Sequence, residues 1–393
     1  MKKQLITSAI ACTALFLNAC GHAPNTDLQT APTNLGVNTI VSTLPDESSK
    51  IQVALLFDTS NSMDGLLEQA KSRLWDIVNT LTTLKYKGKT PRIEIALYEY
   101  GNDGLSSEAN YIRQVTPLTT DLDVISEKLF ALRTNGGSEY CGAVIQQSVK
   151  DLKWDDGSNT MKLIYIAGNE GFDQGGINYK EAISDGLKND IYTNTIFCGN
   201  KQDGIQLQWE IGANKGQGKY FNIDSDQKIQ YVETPYDKQI NTCNEKLNKT
   251  YIGYGKQGSY KKESQRKEDA NAESISTSNS AERAVSKSKS AYNNASWDLV
   301  DSYKDNEQSI DKLKQEDLPE EFKNKSKEEI KTIVVVKVKE REAIQKEIGS
   351  LAAKRNQYIA NASKNTSSKD DLGTSIKASI VSFAKLKGYE VIN

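Results

Sequence analysis

Apolar residues between positions 51 and 223 occur in short runs that alternate with segments of helical periodicity. The run at 51–57 is nearly continuous, as expected of a strand covered on both faces, and the segment behind it repeats Leu67, Leu74 and Leu81 on one helical face. The pattern predicts strands at 51–57, 92–100, 111–115, 162–167, 192–198 and 219–223, and helices at 63–81, 122–132, 144–152, 178–189 and 203–213. Because such alternation builds right-handed βαβ units, the sequence predicts an α/β fold with a doubly wound, mainly parallel sheet between helices.

Strand signals stop after the last of these strands, and helical patterns replace them. Ser326 and Glu329 have the spacing of a capping box at the start of a long helix. Its apolar seam is short and interrupted by charges, which favours a helical hairpin over a coiled-coil dimer. Residues 256–292 are so polar that a solvated helix, a loop and disorder all remain open. The sequence therefore predicts an α/β domain over 49–225 and a helical extension over 226–393 that is partly of low complexity or disordered.

The first residues have the pattern of an export signal. Lys2 and Lys3 precede an apolar stretch at 5–17 that is too short to span a bilayer as a helix. The stretch ends in Leu17, Asn18, Ala19 and Cys20, which resembles the lipobox of bacterial lipoproteins. The resemblance implies a signal peptide over 1–19 and a diacylated Cys20 at the mature N-terminus. An ordinary cleaved signal, with Cys20 incidental, is the alternative.

A lipidated Cys20 would anchor the protein to a bacterial membrane. Residues 20–48 carry Asn, Thr, Pro, Asp and Ser with little periodicity, which indicates a flexible tether to the first domain. Gly21 stands where an aspartate favours retention in the inner membrane of enteric-type bacteria, so we expect the outer membrane. Whether the domain faces the periplasm or the cell exterior stays open.

Composition excludes several classes of function. The chain has 50 basic and 52 acidic residues, and nothing in their distribution resembles the basic footprint of a nucleic-acid-binding protein. Its single histidine, His22, lies in the tether. This excludes Ser-His-Asp and Cys-His catalysis as well as histidine-rich zinc sites. We therefore expect a protein that is not an enzyme.

Oxygen-bearing side chains follow the first predicted strand directly, in the order Asp58, Thr59, Ser60, Asn61, Ser62. Ligands of open α/β sheets bind outside the carboxyl ends of the strands, which is where this segment falls. Alternation along a turning loop aims Asp58, Ser60 and Ser62 at one point. A carboxylate and two hydroxyls are hard oxygen ligands, so we expect a Mg²⁺ ion, or Mn²⁺ or Ca²⁺ in its place.

This D-x-S-x-S segment between a strand and a helix resembles the metal-ion-dependent adhesion site of von Willebrand factor type A (VWA) domains. The family adds a threonine from a second loop, and in the loop at 135–142 Ser138 matches it, with Glu139 as a further candidate. The family's third loop supplies an aspartate, but here Asn169 stands in that place, with Glu170 beside it as a substitute. The resemblance implies that an acidic group of a protein partner fills an open coordination position of the ion. The missing aspartate implies a weaker site.

Cys141 lies in the second of these loops and Cys198 at the end of the fifth predicted strand. Both fall at the carboxyl edge of the sheet in an exported chain, so the sequence predicts a disulfide between them. Two buried free thiols are the alternative. Cys243 lies on an apolar helical face and is expected in the core.

Three classes of function follow. The first is an envelope-anchored binding protein that holds an acidic partner through the metal site. The second is a structural scaffold with an idle metal site, whose function lies in the helical extension. The third, a metal-dependent hydrolase of the haloacid dehalogenase kind, has less support, because such enzymes need a second acid where Ser60 stands.

Overall fold

A computed structural model describes residues 49–224, 226–227, 229–362 and 372–391 of the chain. The predicted signal peptide, Cys20 and the tether lie outside the described residues. The strands are β1 (Lys50–Asp58), β2 (Leu84–Lys85), β3 (Arg92–Tyr100), β4 (Ile112–Thr119), β5 (Met161–Gly168), β6 (Ile191–Cys198), β7 (Gln217–Ile223) and β8 (Glu390–Val391). The helices are α1 (Asp64–Thr82), α2 (Leu122–Ala131), α3 (Cys141–Asp151), α4 (Tyr179–Lys188), α5 (Lys201–Gln206), α6 (Trp209–Lys215), α7 (Asp237–Asn248), α8 (Gly258–Ile275), α9 (Thr277–Lys287), α10 (Leu299–Asp305), α11 (Lys327–Ala362) and α12 (Leu372–Leu386).

Six strands form one sheet in the order β4-β3-β1-β5-β6-β7. All neighbours are parallel except β3 and β4, which are antiparallel. The predicted α/β fold with a mainly parallel, doubly wound sheet is confirmed. The register pairs Asp58 with Tyr100 of β3, and Phe57 with Ala167 of β5. Asp58 therefore ends the central strand at the carboxyl edge of the sheet.

Side chains of β1 alternate between two hydrophobic clusters, one on each face of the sheet. Leu55 and Phe57 pack in the cluster that contains α1 and α12 residues, whereas Leu56 packs in the cluster that contains α3 and α4 residues. Every residue of β1 from Ile51 to Asp58 is buried. This two-sided burial explains the continuous apolar run in the sequence, because no position of the strand faces water.

Cys141 and Cys198 are not joined, so the predicted disulfide is wrong. Both thiols are free and buried. Cys141 packs in the cluster of Leu56, whereas Cys198 packs in the cluster of Phe57 on the other face of the sheet. A disulfide needs Cβ atoms about 4 Å apart, which thiols separated by a sheet cannot reach. The alternative of two buried free thiols holds, and Cys243 is buried in α7 as expected.

The helix predicted at 203–213 is two short helices, α5 and α6. Gln208 breaks it with a left-handed backbone, at a φ of 70°. Its side chain explains the break, because Tyr179 Oη donates to Gln208 Oε1 at 2.8 Å and Gln208 Nε2 donates to Asp173 Oδ2 at 2.5 Å. These tertiary contacts hold the residue in a conformation that local sequence does not favour.

The polar segment whose structure the sequence left open forms α8 and α9. Arg283 and Lys287 of α9 are at most 1% exposed. Arg283 donates to Asp123 of α2 at 2.8 Å and to Asp269 of α8 at 2.6 Å, and Lys287 donates to Asp269 at 2.8 Å. Paired charges can be buried where unpaired ones cannot, so a polar helix lies inside the protein.

The predicted capping box at the start of α11 is confirmed. Ser326 N donates to Glu329 Oε2 at 2.7 Å, and Glu329 N donates to Ser326 Oγ at 3.2 Å. The seam residues Ile344, Ile348 and Leu351 are buried. They pack in the same cluster as the core of the α/β part, so this seam is used within the chain.

The last helix, α12, completes the helical layer over one face of the sheet. It packs against α1 and the strands β5, β6 and β7. Ile376, Ile380 and Phe383 lie in the cluster of Phe57, and Ser379 Oγ donates to Asn194 Oδ1 at 2.7 Å. The α/β part is thus closed by residues from the far end of the chain. Within the ranges given above, no helix is long and apolar enough to cross a membrane.

Candidate metal-binding site

Asp58 lies at the carboxyl end of β1 and is fully buried. Its Oδ1 atom accepts a hydrogen bond from Ser60 N at 2.8 Å. This bond turns the chain sharply after the strand and leads into α1 through a short 3₁₀ turn. The turn brings Ser60, which is also buried, to the same end of the sheet.

Hydroxyl and amide groups continue from Ser60 across to the third loop. Ser60 Oγ lies 3.3 Å from Ser62 Oγ. Asn169, which follows β5 directly, donates from Nδ2 to Ser62 Oγ at 3.1 Å. The structure therefore brings together four of the predicted ligands, Asp58, Ser60, Ser62 and Asn169.

The second loop is joined to the first by two backbone hydrogen bonds. Asn135 N donates to Thr59 O at 2.9 Å, and Asn61 N donates to Gly136 O at 2.8 Å. These bonds fix the direction in which the second loop continues. Further along this loop the side chain of Glu139 is buried, at 5% exposure. Ser138 is half-buried on the same loop, and its role as a ligand stays a prediction.

Two carboxylate oxygens in this region are buried without a hydrogen-bond partner in the described part of the chain: Asp58 Oδ2 and Glu139 Oε2. Burial raises the pKa of Asp58 to about 7, although hydrogen bonds from Ser60 lower it. Burial, followed by the charge of Asp58, raises the pKa of Glu139 to about 8. Burial is the largest cause of both shifts, because a carboxylate held away from water favours its neutral, protonated form.

Two glycines leave the space around Asp58 free. A Cβ atom at Gly101 would lie 2.8 Å from both Asp58 Oδ1 and Glu139 Cγ, and the backbone there has a φ of +77°. A Cβ atom at Gly168 would lie 3.0 Å from Asp58 Oδ2 and 2.5 Å from Tyr100 Oη. Gly101 directly follows β3 and Gly168 is the last residue of β5, and this place at a strand end was the sequence signal available for them.

These groups fit a hard divalent cation. The unpartnered oxygens of Asp58 and Glu139 would supply charge, and Ser60, Ser62 and Asn169 would supply neutral oxygens. Glu170 is exposed beside them and accepts from Gln174 Nε2 at 3.3 Å. Among residues 49–362 and 372–391, as far as they are described, no group of three or more His, Cys, Asp or Glu side chains could hold an ion. An ion here would therefore depend on the hydroxyl and amide oxygens as well as on the two carboxylates.

No family model matches the sequence, and no curated protein matches it. Solved structures similar to this one include VWA domain proteins at low identity. The SpRpn10 VWA domain is 16% identical, covers 44% of this chain and 88% of its own, and superposes with a TM-score of 0.32. An aerotolerance-related membrane protein from Bacteroides fragilis is 16% identical over 45% of this chain and 93% of its own, with a TM-score of 0.32.

A third similar structure is proximal thread matrix protein 1 from the mussel byssus, described with a zinc-occupied MIDAS motif. It is 12% identical and covers 46% of this chain, with a TM-score of 0.35. The match spans only 43% of the mussel protein's own length. These TM-scores are low. The assignment of the fold and of the site in the present chain is therefore based on its own sheet order and contacts.

Proposed function

We propose that this chain is a divalent-metal-dependent binding protein with a VWA domain, rather than an enzyme. The observation that carries the proposal is the pair of buried, unpartnered carboxylate oxygens of Asp58 and Glu139 beside the hydroxyls of Ser60 and Ser62. A bound Mg²⁺ or Mn²⁺ ion would neutralise both carboxylates. One coordination position of that ion would then be available to a carboxylate of a protein partner.

The surroundings of Asp58 support binding over catalysis. A hydrolase that uses this aspartate as a nucleophile needs a second acid two residues later, and that position holds Ser60. Apart from Ser60 and Glu139, which we assign to the metal, the buried groups near Asp58 include the hydroxyl of Tyr100, which donates to Ala167 O at 3.0 Å, and the thiol of Cys141. Burial raises the pKa of both groups, so neither is suited to accept a proton near neutral pH.

We also propose that the protein is held at the cell envelope, with the outer membrane favoured, by lipid on Cys20. Support comes from the Leu17, Asn18, Ala19, Cys20 junction. In the native bacterium, Cys20→Ser should leave an unprocessed precursor, because the processing step requires the lipidated cysteine. Detergent partitioning and N-terminal mass spectrometry would measure this. Normal cleavage to a form that stays in the aqueous phase during detergent partitioning would contradict lipidation.

Calorimetry with Mg²⁺ and Mn²⁺ on the mature protein tests the metal site. We expect one ion per chain in the wild type and no binding by Asp58→Ala, because the alanine removes the buried carboxylate. Asn169→Asp should bind more tightly, by roughly tenfold, since it adds charge to the third loop. Glu108→Ala, which removes an exposed acid on a loop after β3, is the control and should bind as the wild type does.

Capture of envelope proteins on the wild type, with Mg²⁺ and again with a chelator, tests the binding role. We expect a partner that is retained only with metal and that Asp58→Ala does not retain. If the wild type binds no metal at millimolar concentrations, the domain is a scaffold and its function lies in the helical extension.

A further inference from the structure

Asp58 and Glu139 reach the same point from different loops. Both flank Gly101, at whose missing Cβ position Asp58 Oδ1 and Glu139 Cγ would each be 2.8 Å away. Each carboxyl has one buried oxygen without a partner in the described chain. The hydroxyl of Ser60 lies close enough to both to lower the pKa of each. An ion held by Asp58 therefore has Glu139 within reach as a second carboxylate.

Further acidic groups surround this point. The charges of Glu170 and Asp103 both act on Glu139 and raise its pKa. Glu170 is exposed at the end of β5, and Asp103 is exposed on the loop after β3. With Asp58 and Glu139 on the ion, its two positive charges are already balanced inside the protein. The exposed acids then leave the surroundings of the site negative, which repels a free carboxylate.

We infer that Glu139 is an internal carboxylate ligand of the ion, and that a partner's carboxylate reaches the ion only by displacing Glu139. The inference rests on the proposed metal site at Asp58. A ligand on the same chain acts at an effective concentration on the order of millimolar or higher, so dilute free carboxylates cannot compete with it. A protein partner can compete with Glu139, because its other contacts with the surface add to the binding energy of its carboxylate. Glu139 thereby excludes small carboxylates from the ion and admits only the carboxylate of a protein that makes further contacts.

The test compares Glu139→Gln with Glu170→Gln, a matched control that removes one exposed acid from the same edge and so changes the surrounding charge while both buried carboxyls stay in place. Mn²⁺ binding is measured by electron paramagnetic resonance, and sodium acetate is then added to the Mn²⁺-loaded proteins against sodium chloride at equal ionic strength. Loss of an inner-sphere water, seen as slower water-proton relaxation, reports acetate on the ion.

We expect Glu139→Gln to bind Mn²⁺ at least about tenfold more weakly than the wild type, because one ligand charge is lost. Its bound Mn²⁺ should take acetate at millimolar concentration, where the wild type and Glu170→Gln take none. Glu139→Asp keeps the charge but shortens the side chain by one methylene, and its bound Mn²⁺ should also take acetate. That result would exclude net charge alone as the cause. Thermal unfolding verifies that each variant is folded.

If the wild type binds Mn²⁺ but Glu139→Gln binds it equally well and takes acetate no better, the inference is overturned and the metal site stands. If Glu170→Gln changes as much as Glu139→Gln, the effect is one of general charge and the inference also fails. If the wild type binds no Mn²⁺, the proposed function and this inference fall together.

Discussion

At the scale of single residues, the buried pair of Asp58 and Glu139 makes the stability of the metal-free protein depend on pH. In an unfolded chain their carboxyl groups titrate near pH 4. In the folded protein burial raises the pKa of Asp58 to about 7 and that of Glu139 to about 8. Between about pH 4 and about pH 7 to 8, the folded state therefore holds protons that the unfolded state has already released. This contribution to stability is complete below about pH 4 and is lost as the pH rises through about 7 to 8.

We predict that, in the presence of a chelator, the unfolding temperature falls as the pH is raised from 5 to 9. Asp58→Asn should show a smaller fall, because its amide keeps the acceptor for Ser60 N but does not ionise. Added Mg²⁺ should bind more tightly at the higher pH, since both carboxyls must lose their protons to take the ion. Calorimetric scans across this range provide the measurement. A metal-free protein whose unfolding temperature is flat or rises over the range would contradict the burial of the pair.

At the scale of elements, the turns that end the strands decide the shape of the site. We predict that Gly101→Ala destabilises the protein and weakens Mg²⁺ binding, because its Cβ would collide with Asp58 and Glu139. Gly88→Ala is the matched control, since Gly88 has nearly the same φ, +76°, but nothing within 4 Å of its Cβ position. The control should lose about 1 kcal/mol from backbone strain alone and keep its metal affinity.

Urea unfolding and Mg²⁺ calorimetry on both glycine variants would measure the difference. A larger loss of stability at Gly101, together with weaker metal binding, is the expected result. Equal losses at the two positions, with metal affinity unchanged in both, would mean that the loop after β3 relaxes away from Asp58.

The strands of the sheet were predictable because most of them are buried on both faces. The predicted bounds of β1, β3, β5 and β6 lie within one residue of the structure at each end. The edge strand β4 was predicted too short, since most of its side chains are only partly buried or exposed and its second half carries a proline and two threonines. The position of Asp58, Ser60 and Ser62 after β1 was predictable for the same reason: the strand locates the loop.

Other features depend on contacts between distant parts of the chain. The break at Gln208 is held by Tyr179 and Asp173, which no local pattern around the helix reveals. The burial of Glu139 follows from hydrogen bonds between two loops, and motif matching alone put Ser138 first. Placing Cys141 and Cys198 at one edge was correct, but the edge does not say which face each side chain takes.

At the scale of the whole molecule, the helical residues after β7 are built into the α/β part rather than attached to it. Arg283 joins α9 to α2 and α8, while Arg341 of α11 donates to Asp298 at 2.6 Å and Asp301 at 2.5 Å. Both guanidinium groups are at most 1% exposed. From the sequence alone these arginines are expected at the solvent-exposed surface, because the acidic partner of each lies on another element.

We predict that a chain ending at residue 362 does not unfold cooperatively, because without α12 the cluster around Phe57 faces water. In the full chain, Ile380→Ala should lower the free energy of unfolding by roughly 2–5 kcal/mol, as expected for a fully buried side chain. Lys385→Ala on the exposed side of the same helix is the control and should change it by less than about 0.5 kcal/mol. Urea denaturation followed by circular dichroism is the measurement. A shortened chain with an unchanged, cooperative transition would show that the α/β part closes without α12.

The position of α12 against α1 also bears on how the protein folds, because α1 ends at Thr82 and α12 begins only at Leu372. Until α12 docks, α1 and the central strands lack one wall of their shared core. The contacts that complete this core join residues far apart in sequence, and closing so long a stretch of chain is entropically costly. We therefore expect the docking of α12 to slow folding, whereas a protein whose core is built from neighbouring helices would fold faster.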